Sequence, residues 1–192
     1  MKNVKLLVIL FCVLTTLISG CSSKKNVRAN PNSLVERRTG ETVGNDKDIE
    51  KEIKETLRDD ENHRFFHVNV NVYNGAVLLT GEVMDEAIKS KIIETVRVIS
   101  HVKMVHDNLI IDYPSDNLSR ANDKRIVQNI KRALTQIRTL PNFDSSLIKV
   151  IVEQSTVYLM GRVHRDEGTV VVNVVRLEPD IRQIVTVLDY ID

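Results

Sequence analysis

The basic side chains between residues 124 and 138 are the ones in this sequence best suited to contact a negatively charged surface. Apolar residues recur there at helical spacing, and Asp123 precedes them as a candidate N-cap, so the segment is predicted to form an amphipathic helix. On a helical wheel the charged side of this helix carries cations and no acid. The cations are Lys124, Arg125, Lys131, Arg132 and Arg138.

A second helix with the same apolar pattern is predicted 77 residues upstream, at residues 47–61. Its charged side differs, because acidic residues outnumber basic ones there. Two similar helices are therefore expected to present surfaces of opposite charge. The corresponding apolar pairs are Ile49 and Ile126, Ile53 and Ile130, and Leu57 and Leu134.

An ordinary solvated helix face is the alternative explanation for the basic helix, since runs of charge usually serve solubility. The charge of the whole chain does not decide the matter, because the formal net charge is only +1. Without Lys2 and Lys5, which lie in a segment predicted below to be removed, 25 basic residues face 26 acidic ones. That balance gives no argument for a nucleic-acid partner.

Residues that could perform catalysis or bind a metal are scattered along the chain. His63 and His67 are four residues apart, but the region around His67 is predicted as a strand, and no cysteine or carboxylate cluster completes a ligand set. Ser145, Ser146 and Ser155 lie in polar, turn-like segments without a G-x-S-x-G motif. The sequence therefore predicts no enzyme activity, no metal site and no cofactor.

The N-terminus has the pattern of a lipoprotein signal peptide at residues 1–20. Two lysines precede an apolar stretch that is too short for a comfortable membrane span. The stretch ends in Leu-Ile-Ser-Gly-Cys at residues 17–21, which resembles the bacterial lipobox. Cys21 is accordingly expected to carry acyl chains, such as palmitate, and to become the mature N-terminus. An ordinary signal peptide followed by a stray cysteine is the alternative.

The residues that follow Cys21 indicate how the chain is exported and attached. Ser22, rather than aspartate, implies export to the outer membrane by resemblance to other bacterial lipoproteins. Residues 21–45 are predicted to be the lipidated N-terminus and a flexible tether, because they are polar or small and show no sustained period. Lys24, Lys25 and Arg28 are either contacts for lipid headgroups or solvated linker charges.

The first globular unit is predicted to span residues 46–113 in the order helix, strand, strand, helix, strand. Val68, Val70 and Val72 alternate with polar residues, as in a half-buried strand. Asn74 and Gly75 supply a tight hairpin turn, and a second helix follows from about residue 85 to residue 99. A right-handed crossover would place the third strand parallel to the second.

The same order repeats in a second unit at residues 122–192, after a short linker at residues 114–121. The pattern V-x-L-x-G-x-V occurs at residues 77–83 and again 80 residues later. Gly81 and Gly161, within that pattern, are interpreted as places of close backbone packing or of a bulge, because neither opens a helix in a phosphate-binding motif.

This repeated order, with its V-x-L-x-G-x-V pattern, resembles the BON domain. Two copies behind a lipobox resemble the dual BON-domain outer-membrane lipoproteins of the DolP (YraP-like) family, and the resemblance covers residues 21–192. It implies an α+β fold of two tandem BON domains, each αββαβ with a three-stranded mixed sheet packed on two helices. It also implies a lipid-anchored protein of the outer membrane that faces the periplasm.

The resemblance implies a function as well. Members of that family bind anionic phospholipid through the first helix of the second BON domain, gather at division sites and support cell envelope integrity. In this sequence that helix is the basic one, so its cations are expected to contact phosphatidylglycerol-like lipid. Arg125 stands where the family can place a membrane-contacting aromatic residue, and the chain has no tryptophan, so binding would rest on cationic contact.

A periplasmic adaptor is the alternative function. In that case the acidic helix or an exposed sheet edge would dock proteins that assemble the envelope or remodel peptidoglycan. The two functions are compatible, since one unit could bind lipid while the other binds protein.

Overall fold

A computed structural model of the chain describes residues 36–61 and 63–191. The predicted signal peptide, Cys21 and the predicted tether up to residue 35 lie outside the described residues. The first unit comprises α1 (Gly40–Arg58), β1 (Phe66–Tyr73), β2 (Ala76–Val83), α2 (Glu86–Arg97) and β3 (Met104–Ile111). The second comprises α3 (Asn117–Leu134), β4 (Ile148–Glu153), β5 (Thr156–Val163), α4 (Arg165–Val175) and β6 (Gln183–Tyr190).

Each unit contains one three-stranded mixed sheet with its second strand in the centre. β2 pairs antiparallel with β1 and parallel with β3, and β5 pairs in the same way with β4 and β6. The crossover through α2 or α4 provides the parallel pairing, as the sequence predicted. The predicted αββαβ order with a mixed sheet on two helices is therefore confirmed for both units.

Aliphatic side chains fill a separate core between the helices and the sheet of each unit. Ile53, Val77 and Val96 are fully buried in the first core, and Ile130, Val157 and Val171 are fully buried in the second. Each core residue removed from water contributes roughly 1.5–3 kcal/mol relative to an exposed one. The matching apolar positions of the repeat thus build two copies of one core.

The glycines of the repeated motif lie where another backbone comes close. A Cβ atom at Gly81 would lie 2.0 Å from the carbonyl oxygen of His67, and Gly81 also has a φ of +113°. A Cβ atom at Gly161 would lie 2.6 Å from the carbonyl oxygen of Leu147. The prediction of close backbone packing at both glycines is confirmed, because a side chain would displace the neighbouring strand or turn.

The first helix of each unit begins earlier than predicted. Gly40 opens α1 after Thr39, whose hydroxyl accepts a hydrogen bond from the Thr42 amide, and Asn117 opens α3 after Asp116, whose carboxylate accepts from the Ser119 amide. The predicted tether therefore loses residues 40–45 to α1, and the predicted linker loses residues 117–121 to α3. Both N-caps are short polar residues that lie several residues before the regular apolar stripe of the helix, so the apolar period did not reveal them.

Asp123, which was predicted as an N-cap, lies inside α3, and its counterpart Asp46 lies inside α1. Each is buried, and each carboxylate accepts two backbone N–H groups from the hairpin turn of its own unit. The distances are 2.7 and 2.8 Å from Asp46 to the amides of Asn74 and Gly75, and 2.9 Å from Asp123 to the amides of Gln154 and Ser155.

These aspartates fix the hairpins in a left-handed turn. Asn74 and Gly75 have φ values of 51° and 76°, and Gln154 and Ser155 have 46° and 61°. Positive φ at both central residues is the geometry of the tight hairpin predicted from the sequence. Residues other than glycine adopt it at a cost, and the charged hydrogen bonds offset that cost.

The two sheets face each other, so that the helix pairs lie on the outer sides. Tyr73 and Leu78 of the first sheet pack against Tyr158 and Met160 of the second, and all four side chains are buried. The described residues of the two repeats thus form four layers in the order helices, sheet, sheet, helices. The central strands β2 and β5 are buried on both faces, and this explains why each reads as a nearly continuous apolar run.

Replacing Asp46 by Asn is expected to lower the free energy of unfolding by about 2 kcal/mol, because a neutral amide oxygen cannot satisfy two buried N–H groups as a carboxylate does. Urea unfolding monitored by circular dichroism measures the change. Asp48→Asn is the matched control, since Asp48 is exposed on the same helix. Equal stability of the two variants would contradict the role assigned to Asp46.

Candidate functional site

The five predicted cations are all exposed in the second unit. Four of them, Lys124, Arg125, Lys131 and Arg132, lie on α3, whose apolar stripe faces the core. Arg138 was predicted on the same helix, but α3 ends at Leu134 with Thr135 as its C-cap. Arg138 therefore lies beyond the helix, in the connection that leads to β4.

Few of these cations are neutralised by the protein itself. Arg125 donates to Asp180 of its own unit at 2.7 Å, in a pair whose side chains are 46% and 59% exposed. Arg132 donates to the side-chain oxygen of Asn129 at 3.4 Å. Within residues 36–61 and 63–191, no carboxylate lies at ion-pair distance from Lys124, Lys131, Arg132 or Arg138. The acidic residues of the first unit do not cover this surface.

The first unit contacts a different cation. Glu50 of α1 lies 2.6 Å from the ammonium group of Lys54 and 3.2 Å from that of Lys149 in β4. Burial would raise the pKa of Glu50, but the two ammonium groups hold it below its ordinary value. Other acids of the helix, among them Asp48, Glu52 and Glu55, remain exposed. The opposite charges of α1 and α3 are thus properties of the two outer surfaces.

Residues 36–39, predicted to belong to the tether, connect both units. Arg37 makes a paired hydrogen bond to the carboxylate of Glu167 in α4, with Nη2 at 2.7 Å from Oε1, and this holds the pKa of Glu167 below its ordinary value. Arg38 donates to Asp46 at 2.7 Å, and its guanidinium lies 3.8 Å from the centre of the Tyr73 ring. Isolated arginines in a polar stretch gave no sequence signal for these contacts.

A cluster of three ionisable side chains lies where the sheets meet, and sequence reasoning missed it. His67 and Glu82 come from paired positions of β1 and β2, and Glu153 comes from the end of β4. Glu82 is fully buried and Glu153 is 9% exposed. The sequence signal was Glu82 itself, because a charge inside a nearly continuous apolar strand needs partners.

Hydrogen bonds across the interface hold the two carboxylates. Nδ1 of His67 lies 2.9 Å from Oε2 of Glu82, and Nε2 of Gln154 donates to Oε1 at 2.7 Å. Burial would raise the pKa of Glu82, but these two partners hold it below its ordinary value. Asn69 donates to Oε2 of Glu153 at 2.6 Å. Each glutamate is therefore bound by an amide of the opposite unit.

Burial keeps the pKa of Glu153 above its ordinary value, and the negative charge of Glu82 acts in the same direction. The folded state thus binds the proton of Glu153 more tightly than the unfolded state does. The stability that this proton contributes is fully present below the ordinary glutamate pKa. It is lost as the pH rises through the folded-state pKa, because the buried carboxyl must then ionise.

The histidines and the serine of the β4–β5 turn considered in the sequence each have a different hydrogen-bond partner. His63 contacts the carbonyl oxygen of Asp60 with its Nδ1, whereas His67 faces Glu82. Ser155 lies in the β4–β5 turn and donates its amide to Asp123. No helix within the described part of the chain is both long and apolar enough to cross a bilayer.

Replacing Glu153 by Gln is expected to raise the midpoint of thermal unfolding at pH 7.5, because the amide keeps an acceptor for Asn69 and removes a buried charge. The gain should vanish near pH 3, below the ordinary glutamate pKa of about 4.3, where both states of the wild type are protonated. Calorimetric scans at the two pH values measure it. A lower midpoint for the variant at pH 7.5 would contradict this assignment.

Comparison with known proteins addresses the fold family. A family model described as the BON domain matches residues 45–113 and again residues 122–192. Two solved structures of CdsD, a structural protein of the type III secretion system of Chlamydia trachomatis, are similar at 15% identity. The alignment with one of them covers 75% of this chain and 92% of that protein's chain, with a TM-score of 0.31. The alignment with the other, which is the C-terminal domain, covers 76% of this chain and 98% of that domain's chain, with a TM-score of 0.32.

These TM-scores are too low to support an argument about this chain, so the assignment rests on the family match. That match covers well over half of the sequence, and its two ranges each contain one complete sheet, the second helix and most of the first helix. BON domains are associated with phospholipid or membrane binding. The chain belongs to the BON domain family and carries two copies of the domain in tandem.

Proposed function

We propose that this protein is an outer-membrane lipoprotein, anchored through Cys21 and facing the periplasm, that binds anionic phospholipid through α3 of its second BON domain. In this proposal it belongs with the DolP-like lipoproteins, supports envelope integrity, acts at division sites and catalyses no reaction. The observation that carries the proposal is the exposure of the α3 cations, which the acids of the first domain leave uncovered.

Electrostatic attraction would supply most of the binding free energy. Each Lys or Arg near an anionic membrane contributes about 1 kcal/mol, and the contribution falls off within a Debye length. Arg125 would exchange its exposed partner Asp180 for a headgroup at little cost, because pairs of this kind are worth roughly 0–1 kcal/mol. Binding through α3 is therefore expected to be reversible and weakened by salt.

A shallow apolar contact would add to the charge. Leu118 lies seven residues before Arg125, about two turns along α3 and on the same side of the helix, and its side chain is 78% exposed. This leucine would enter the headgroup region where the family can use an aromatic residue near Arg125. The contact area is smaller, so the cations remain the main determinant.

The lipid anchor would keep this weak surface at the membrane. Fourteen residues lie between Cys21 and Glu36, the first described residue, and a chain of that length spans at most about 50 Å. Tethering at this distance would raise the effective concentration of headgroups around α3. Acyl chains and α3 would then act as two binding sites on one bilayer.

The test is co-sedimentation of the unlipidated protein, starting at Ser22, with phosphatidylglycerol vesicles at low salt. Changing Lys124, Arg125, Lys131 and Arg132 together to Gln should weaken binding by roughly fivefold per charge. The matched control changes the four cations of α1, which are Lys47, Lys51, Lys54 and Arg58. Both variants lose four positive charges, so a difference between them reports the location of the binding surface and not the net charge.

Two results would contradict the proposal. The unlipidated wild-type protein could fail to bind phosphatidylglycerol vesicles even at low salt. Alternatively, the variant in which all five predicted cations, Arg138 included, are changed to Gln could bind as tightly as the wild type. The control variant is expected to retain binding.

An adaptor function is the second candidate, and the β3 edge supports it. Met104, Ile110 and Ile111 on this edge strand are 57%, 39% and 54% exposed, and an unpaired edge can accept a strand from a partner. Exposed acids of α1 would add charge recognition.

Crosslinking in cells should lose a specific protein adduct when Asp48, Glu52 and Glu55 are changed to Lys. Glu50 is left unchanged because it pairs with Lys149. Identical adducts with the wild type would exclude docking through α1.

A further inference from the structure

We propose that His67, Glu82 and Glu153 form a binding site for a divalent transition-metal ion such as Zn²⁺, which would bridge the two BON domains. The site does not depend on the proposed lipid binding, since none of its three ligands lies on α3, although Lys124 of α3 lines the cleft that leads to it. Two of its side chains belong to the first domain and one to the second.

The positions of the side chains fit a metal ion. One potential ligand atom from each of the three residues lies within 4.8 Å of the others. Ligands of a tetrahedral zinc ion lie roughly 2.0–2.2 Å from the metal, so each atom would need to move by only about 1 Å to share one ion. His67 and Glu82 are already 2.9 Å apart.

The types of ligand indicate the class of metal. One imidazole nitrogen and two carboxylate oxygens suit zinc and similar first-row ions, whereas magnesium and calcium prefer oxygen ligands alone. Three protein ligands leave a fourth position for water, as in sites that remain open.

Surrounding amides would orient the ligands. Gln154 binds one oxygen of Glu82, and Asn69 binds one oxygen of Glu153. No described residue donates a hydrogen bond to Oε1 of Glu153, so that oxygen is free to coordinate an ion. Hydrogen bonds of this kind fix the carboxylates of metal sites and raise their affinity.

The charge balance of the cluster favours a cation. Two carboxylates lie close together with one imidazole between the sheets, and buried like charges repel each other in a medium of low dielectric constant. The hydroxyl of Thr80, fully buried on the same strand face as Glu82, also has no hydrogen-bond partner among the described residues. The interface therefore contains polar groups that its own side chains do not fully satisfy.

Solvent can reach the cluster. A cleft of about 460 Å³ is lined by His67 and Glu153 together with Asn69, Asp123, Lys124 and Arg120. The His67 side chain is 29% exposed. An ion could enter through this cleft without separation of the two domains, and water could occupy its open coordination position.

The test uses the purified full-length chain after removal of metal with EDTA. It measures the midpoint of thermal unfolding and, by calorimetry, the binding of Zn²⁺. Zn²⁺ at about one hundred times its Kd should raise the unfolding midpoint by roughly 5–10 °C. Mg²⁺ should have little effect. His67→Gln and Glu153→Gln should each weaken the zinc affinity at least about tenfold. Glu153→Gln is expected to fold stably without metal, so its lost response would not reflect unfolding.

Two control variants separate this site from other zinc contacts. His63→Gln removes an exposed histidine outside the cluster, and Glu50→Gln removes an ion pair between the domains without touching it. Both should keep the wild-type affinity. The proposal would be overturned if Zn²⁺ gave no rise in the midpoint, if Mg²⁺ gave an equal rise, or if the affinity were unchanged in His67→Gln and Glu153→Gln.

Discussion

Packing of the two sheets against each other determines which side chains of the described residues are exposed and which are enclosed. Leu78 and Met160 are fully buried between the two sheets, although each projects from its own sheet on the side away from the helices. Because the sheets cover each other, the helices of both domains must face outward. The cations of α3 and the acids of α1 are therefore presented to the surroundings, while Glu82 and Glu153 are enclosed.

This arrangement gives the two copies of one fold different outer surfaces. The apolar side of α1 and that of α3 perform the same packing, so selection could act on their outer sides independently. Asp46 and Asp123 have the same role in the two copies, since each carboxylate accepts hydrogen bonds from the amides of its own hairpin turn. The interface, in contrast, uses residues that differ between the copies, such as His67 in β1 and Lys149 in β4.

The sequence predicted the features that local patterns determine, which are the strands of each unit and the turns between them. The valine alternation in β1, the repeated V-x-L-x-G-x-V pattern and the Asn74-Gly75 turn indicated the strands, their order and their pairing. Contacts between distant segments were missed. Asp123 before an apolar stripe has the pattern of an N-cap, and only the fold brings the Gln154 turn to it. The sheet interface left two signals in the sequence. One is Glu82, and the other is the nearly continuous apolar runs of β2 and β5, because a strand that is buried on both faces carries apolar residues at successive positions.

The proposed function requires α3 to be the surface that contacts anionic lipid. An NMR titration of the unlipidated protein with phosphatidylglycerol micelles tests it most directly, because amide shifts locate the contact residue by residue. Shifts concentrated at Leu118, Lys124, Arg125, Lys131 and Arg132, with α1 and the sheet interface unchanged, are the predicted result. Shifts confined to α1, or an absence of shifts in α3 while lipid binds, would show that α3 is not the lipid-binding surface.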